Sequence, residues 1–184
     1  RPLSQDTTSP NGKILRLNPD GTVPADNPFP GSAAWSIGHR NVQGLVFDEA
    51  GRLWASEFGQ NTWDELNLIQ RGANYGWPTV EGRAGRAGFV DPVAQWATSD
   101  ASPSGVGYAN GVVFMAGLRG QRLWAIPVPD GQVGTPEAFF TAEYGRLRTV
   151  SLAPDGTLWL VTSNTDGRGS PRAGDDRVLR VALR

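Results

Sequence analysis

An all-β fold built from repeated hairpins is predicted by three observations. The 24 Gly and 14 Pro of the 184 residues are so evenly scattered that few windows can sustain several helical turns. Short runs rich in Val, Ile, Leu and Trp alternate with clusters of Asn, Asp, Pro and Gly, which is the spacing of strands joined by tight turns. One hairpin pattern also recurs. "GRLW" at 51–54, "GQRLW" at 120–124 and "GTLW" at 156–159 each set glycine in a turn and Leu-Trp on the returning strand.

In chain order, "KILRLNPDGT" reads as a strand carrying Ile14, Leu15 and Leu17 into an Asn-Pro-Asp-Gly turn. "GLVFDEAGRLWAS" is a strand, a short turn and a second strand. "NGVVFMAGLRGQRLWAIPVPDGQ" and "TVSLAPDGTLWLVTS" repeat that plan, and "DRVLRVAL" is a final strand. Repeating four-stranded units of about 40–50 residues point to a β-propeller, in which each blade buries its faces against its neighbours. On pattern alone a β-sandwich remains open. Only about three and a half such units fit in this length, whereas a closed ring takes roughly 4–8 blades. Residues 1–184 are therefore expected to be part of one larger propeller domain, with N-terminal blades supplied by the same polypeptide or by a second chain. The opening "RPLSQDTTSPNGK" has neither an initiator Met nor the apolar core of a signal peptide, and reads as a sequence entered in the middle.

Charge and composition narrow the function. Lys and Arg total 17, Asp and Glu 18, and the net charge is −1, so nothing argues for nucleic acid or an anionic membrane as partner. Lys13 is the single lysine, so the positive charge is almost all guanidinium, a planar fork suited to carboxylates and other planar anions. With no Cys, disulfides, thiolate metal sites and Cys nucleophiles are excluded. No apolar run approaches the ~20 residues of a membrane-spanning helix.

Three polar clusters interrupt the strand pattern. "GHRNVQG" packs Arg40, Asn41 and Gln43 between glycines, a set able to grip an oxygen-rich planar anion, or simply a turn held by side-chain to backbone hydrogen bonds. "EFGQNTWDELNLIQRGANYGWP" joins Asp64 and Glu65 to the Gly59-Gln60 pair. Carboxylates and carbonyls suit a hard cation such as Ca²⁺, although the spacing is not that of an EF-hand and a solvated acidic turn fits equally. In "GRLRTV", Arg146 and Arg148 project to the same side of a strand, and Arg119 of "GLRGQ" can add a third charge. The set is either an anion site or exposed strand arginines. The one histidine, His39, lacks a Ser-His-Asp context in the sequence.

Taken in order, "GKILRLNPDGT", "GHRNVQGLVFD", "DELNLIQRGANYGWP", "GLRGQRL", "GRLRTVSLAPDGTLWLVTSNTDG" and "DDRVLRV" resemble the soluble PQQ-dependent sugar (glucose/sorbosone, aldose) dehydrogenases. The resemblance implies an all-β, six-bladed propeller, of which this chain covers roughly the last three to four blades. It also implies PQQ- and Ca²⁺-dependent oxidation of an aldose at its anomeric carbon to a lactone, with hydride passing to the quinone and an external acceptor taking the electrons. Such enzymes are periplasmic or secreted. Carried over by position, Arg40 and Asn41, the Gly117-Leu118-Arg119 segment and Arg146-Leu147-Arg148 are the cofactor contacts. The carbonyls of Gly59 and Gln60 hold the active-site Ca²⁺, although Pro is frequent in the family where Gln60 stands. Glu65 and the Tyr75 carbonyl hold a structural Ca²⁺. The histidine that serves as base in the family lies upstream of the "GKILR" segment. No catalytic base is therefore expected here, His39 is assigned a supporting role, and this chain by itself is expected to be inactive. Two other readings compete: a non-catalytic propeller that binds a sugar or a protein, and a Ca²⁺-dependent lactonase-like hydrolase.

Overall fold

The computed structural model describes residues 1–183. Strands β1 (Lys13–Leu15) and β2 (Ala34–Ile37) form a two-stranded sheet. β3 (Val42–Phe47), β4 (Leu53–Glu57), β5 (Trp63–Ile69) and β6 (Ala94–Ala97) pair in chain order as a four-stranded antiparallel sheet. β7 (Pro103–Ala109), β8 (Val112–Gly117), β9 (Arg122–Pro127) and β10 (Glu137–Phe139) do the same, and β11 (Leu147–Leu152), β12 (Leu158–Thr162) and β13 (Val178–Val181) make a three-stranded sheet. Among the described residues the only helical elements are two short 3₁₀ turns, Pro2–Gln5 and Pro129–Gly131. Each consecutive meander is a propeller blade, as the hairpin pattern predicts.

The blades stack through alternating side chains. On β8, Val113 and Met115 face the β3–β6 sheet and join a core with Trp54, Leu66 and Ile126. Phe114 and Ala116, one residue out of step, face the β11–β13 sheet beside Val150, Leu158 and Leu160. That is the period-2 alternation of a strand buried on both faces. A third core of Ile14, Ala55, Ile69 and Tyr75 joins the β1–β2 sheet to its neighbour.

The first strands of the three larger sheets, β3, β7 and β11, lie against one another at the inner edge of the stack. Glycine permits this approach. A Cβ on Gly105 would sit 2.8 Å from Thr149 Cα, and one on Gly44 would sit 2.8 Å from Val106 N. In an antiparallel meander, the start of the first strand and the connections between strands two and three share one end. The Gly38–Asn41, Phe58–Thr62, Leu118–Gln121 and Ser163–Arg177 stretches therefore converge there.

The spacing of the three Leu-Trp motifs is not the blade repeat. Trp54 and Trp159 stand on the second strand of their sheets, whereas Trp124 stands on the third. Strand position within the meander, which the Leu-Trp pattern does not encode, separates them.

Candidate functional site

A cleft of about 1020 Å³ opens at the converging end. It is walled by Arg40, Asn41 and Gln43 at the start of β3, Phe58, Gly59 and Gln60 between β4 and β5, and Ser102 before β7. Leu118 and Arg119 come from the β8–β9 turn, Arg146 and Arg148 from the start of β11, and Asp166 and Arg168 from the β12–β13 connection. Three loops that are separate in sequence thus deliver the predicted arginines to one place. Arg146 and Arg148 both reach it, as residues two apart on a strand should.

Two predicted positions offer no side chain to the cleft. Leu147 is fully buried in the core between the second and third sheets, pointing away from the two arginines that flank it. Gly117 ends β8 packed between the carbonyls of Arg122 and Ala101 and is not part of the cleft wall. Only backbone contact remains open to either.

The electrostatics of the cleft are lopsided. Five arginines line it against two carboxylates, Asp64 and Asp166. Arg146 is paired, its NH2 2.9 Å from Asp166 Oδ2, and its backbone N–H donates to Asn164 Oδ1. Arg148 donates only to Ser104 Oγ at 3.3 Å, and Arg40 lies over the Trp77 ring with its centroid 5.6 Å away. Arg40, Arg119, Arg148 and Arg168 form no ion pair among the described residues. Asp64 is committed elsewhere, accepting from Gly59 N at 3.0 Å and from Ser102 N at 2.7 Å. Unneutralised guanidinium forks around one concave site suit a planar ligand with several carboxylates, which is what PQQ requires.

The loop after β4 fits a hard cation. The carbonyls of Gly59 and Gln60 accept no hydrogen bond among the described residues, and the buried Gln60 Oε1 also lacks a partner. Oxygens left without donors in one loop are the ligand type that Ca²⁺ takes. Gly59 is required by packing, because a Cβ there would fall 1.7 Å from Trp63 O. Glu81, absent from the sequence-based site, closes the loop. Its Oε1 accepts from the backbone N–H groups of Gln60, Asn61, Thr62 and Trp63 at 2.9–3.1 Å. Burial works to raise the Glu81 carboxyl, but the four N–H donors outweigh it and hold the group below its ordinary range.

His39 has two side-chain partners that no local sequence pattern marks. Its Nε2 lies 2.8 Å from Ser36 Oγ and its Nδ1 2.8 Å from Glu57 Oε2. These are the contacts of a hydrolytic triad in a setting that cannot perform hydrolysis, since Ser36 is 0% exposed and no substrate carbonyl can reach it. The ring also stacks on Tyr75, and the other Glu57 oxygen accepts from Arg40 N–H. His39 and Glu57 together fix the backbone from which Arg40 projects.

Glu65 and Tyr75 meet at a small pocket that Glu57 and Glu81 also line and that shares Arg40, Phe58 and Gly59 with the cleft. Burial, reinforced by the Glu57 charge, pushes the Glu65 carboxyl up to about 7. Asn67 Nδ2 donates to both Glu57 and Glu65, and Asn67 Oδ1 is buried without a partner. The Tyr75 carbonyl accepts no hydrogen bond among the described residues. Two buried carboxylates with unfilled oxygens beside them form a locus that a cation would relieve. The sequence pattern marks Glu65 but not Glu57, which lies in β4 with nothing locally to distinguish it.

Comparison with known proteins bears on the fold and the family. A family model described as Glucose / Sorbosone dehydrogenase matches residues 1–175. The PQQ-bound aldose sugar dehydrogenase from Streptomyces coelicolor superposes with a TM-score of 0.94 at 62% identity, covering 97% of this chain and 54% of that one. Aldose sugar dehydrogenase YliI from Escherichia coli is 32% identical over 94% of this chain and 54% of its own length. Quinoprotein glucose dehydrogenase B from Acinetobacter calcoaceticus is 46% identical over 55% of this chain and 23% of its own. The chain spans about half the length of the curated relatives that it matches along most of its own length, 47% and 54%.

Proposed function

The chain belongs to the glucose/sorbosone dehydrogenase family, and from that membership we propose that the whole protein is a PQQ- and Ca²⁺-dependent oxidoreductase. Its reaction is the oxidation of an aldose at the anomeric carbon to the lactone, with an external acceptor taking the electrons onward. The observation that carries this reading is the convergence on one cleft of Arg40, Arg119, Arg148 and Arg168, which form no ion pair among the described residues, with the carbonyls of Gly59 and Gln60, which accept no hydrogen bond among them.

In this reading Arg40, Asn41, Arg119, Arg146 and Arg148 grip the carboxylates and carbonyl oxygens of PQQ, with Leu118 forming part of the wall. Asp166 keeps the Arg146 fork aimed into the cleft through the 2.9 Å ion pair. The Gly59 and Gln60 carbonyls hold one Ca²⁺, and Glu65 with the Tyr75 carbonyl holds a second, structural one. PQQ held by these residues would supply the two-electron acceptor for the sugar, and a cation beside it would supply Lewis-acid polarisation. None of the cleft-lining residues is a histidine; the base that takes the anomeric hydroxyl proton is assigned to the part of the family's propeller that this chain does not include. A periplasmic or secreted location belongs to the same proposal.

Titrating the full-length protein with PQQ in Ca²⁺, followed by quinone absorbance and glucose oxidation, tests it. Arg148→Ala removes a charge-assisted contact worth about 1.5–3 kcal/mol, so PQQ affinity is expected to fall roughly 10–100-fold. Absence of PQQ binding by the parent protein would overturn the assignment in favour of a non-catalytic propeller.

A further inference from the structure

Resting on the cation site of the proposed function, we propose that Glu81 is the positioning residue that presets the Gly59–Gln60 carbonyls for Ca²⁺. Glu81 follows the "NYGWPTV" segment and is twenty or so residues from the loop it organises. One of its oxygens, Oε1, collects four consecutive backbone N–H groups, from Gln60 to Trp63. The loop is wrapped around a built-in anion.

The consequence follows from peptide geometry. In a trans peptide the N–H and C=O of one unit point in opposite directions. The N–H of Gln60 shares its peptide unit with the Gly59 carbonyl, and the N–H of Asn61 shares its unit with the Gln60 carbonyl. Among the described residues the cis bonds are at Trp77-Pro78 and Asp175-Asp176, so both units are trans. Holding these two N–H groups on Glu81 therefore turns the two carbonyls away from it, and both residues line the cleft. Asp64 anchors the start of the loop through Gly59 N–H and ties it to the neighbouring blade through Ser102 N–H. Without Glu81, the two peptide units are free to rotate, and aligning them would have to be achieved at the moment of cation binding.

The test uses the full-length protein stripped of Ca²⁺ and PQQ, comparing the parent with Glu81→Ala and Glu81→Gln. Three quantities are read: the Ca²⁺ concentration giving half-maximal PQQ uptake by quinone absorbance, amide hydrogen exchange at residues 60–63 in the cation-free state, and kcat at saturating Ca²⁺. Residues that orient metal ligands from behind typically contribute 10–100-fold in affinity. Glu81→Ala is expected to raise the Ca²⁺ midpoint by about that factor and to speed exchange at 60–63, with kcat recovered within about 2-fold at saturation. Glu81→Gln keeps an acceptor oxygen without the charge. It should fall between the two, and it carries the test if the alanine variant does not fold. A lowered Tm with an unchanged Ca²⁺ midpoint in either variant overturns the proposal and leaves Glu81 a merely structural residue. If the parent takes up no PQQ at any Ca²⁺ concentration, the functional reading itself falls, and with it the cation role of Glu81.

Discussion

The β3–β4 hairpin runs from Phe47 through Asp48, Glu49, Ala50 and Gly51 to Trp54; the β11–β12 hairpin runs from Leu152 through Ala153, Pro154, Asp155 and Gly156 to Trp159. Their turns are built alike. Gly51 N–H donates to Asp48 O and Gly156 N–H to Ala153 O, each at 3.0 Å, and both glycines have positive φ, 76° and 80°. The strand registers also correspond, Val46 opposite Trp54 and Ser151 opposite Trp159. Yet Trp54 is 0% exposed and Trp159 is 50% exposed. Trp54 lies between two blades, whereas among the described residues no sheet covers the Trp159 face. The hairpin is specified locally, but the worth of its tryptophan depends on the position of the blade in the stack.

The largest expected difference is at these two rings. Trp54→Ala should cost about 3–5 kcal/mol, since it empties a packed inter-blade core. Trp159→Ala in this same chain should cost well under 1 kcal/mol, as an exposed substitution does. Urea denaturation of both variants reads the gap directly, and equal losses would break the comparison. In the full-length protein the gap is expected to narrow, because a propeller covers the outer face of every blade.

A second difference lies beneath the ring. Asp48, buried at the base of the first hairpin, accepts from Trp54 Nε1 at 2.9 Å and from Arg52 Nε at 2.6 Å, while Ala153 holds the matching place in the second. Asp48→Asn should cost about 1–3 kcal/mol by leaving the Arg52 pairing unsatisfied. Burial acts to raise the Asp48 carboxyl, but the Trp54 and Arg52 donors prevail and hold it below its ordinary 3.8. A folded-state value below the unfolded one gives stability that is present above the ordinary value and lost as pH falls through the folded one. The gap between the parent and Asp48→Asn should therefore shrink on acidification below about pH 4. A gap that widens there would show that the carboxylate is not the stabilising form.

The same contrast explains what was legible in the sequence. Turn glycines and alternating apolar residues encode hairpins, so β3–β4, β8–β9 and β11–β12 stood out. β6 did not, because Ala94–Ala97 is a four-residue segment following a Gly- and Arg-rich stretch, and its strand character comes from pairing with β5. At the cleft, Arg40, Arg119, Arg146 and Arg148 were recognisable by resemblance, but the groups that hold the site in shape were not. Glu57 beneath Arg40, Asp166 beside Arg146 and Glu81 behind the Gly59 loop each act across 17–21 residues of sequence. No local pattern marks a carboxylate whose partners are brought in by blade geometry.

The smallest expected effect is the control for the comparison. If the two turns share one backbone geometry whatever covers or braces their hairpins, they should respond equally. Both Gly51 and Gly156 face open space, so a Cβ would meet no neighbouring atom within 4 Å and the only penalty is backbone strain at positive φ. Gly51→Ala and Gly156→Ala should each cost about 1 kcal/mol, the left-handed penalty of an L-residue. Denaturation midpoints of the two variants should shift together, in contrast to the tryptophan pair. A loss at Gly51 several times that at Gly156 would mean that the buried hairpin resists the strain its exposed counterpart can relax. The difference at the tryptophans would then belong partly to the stiffness of the turn and not to the covering blade alone.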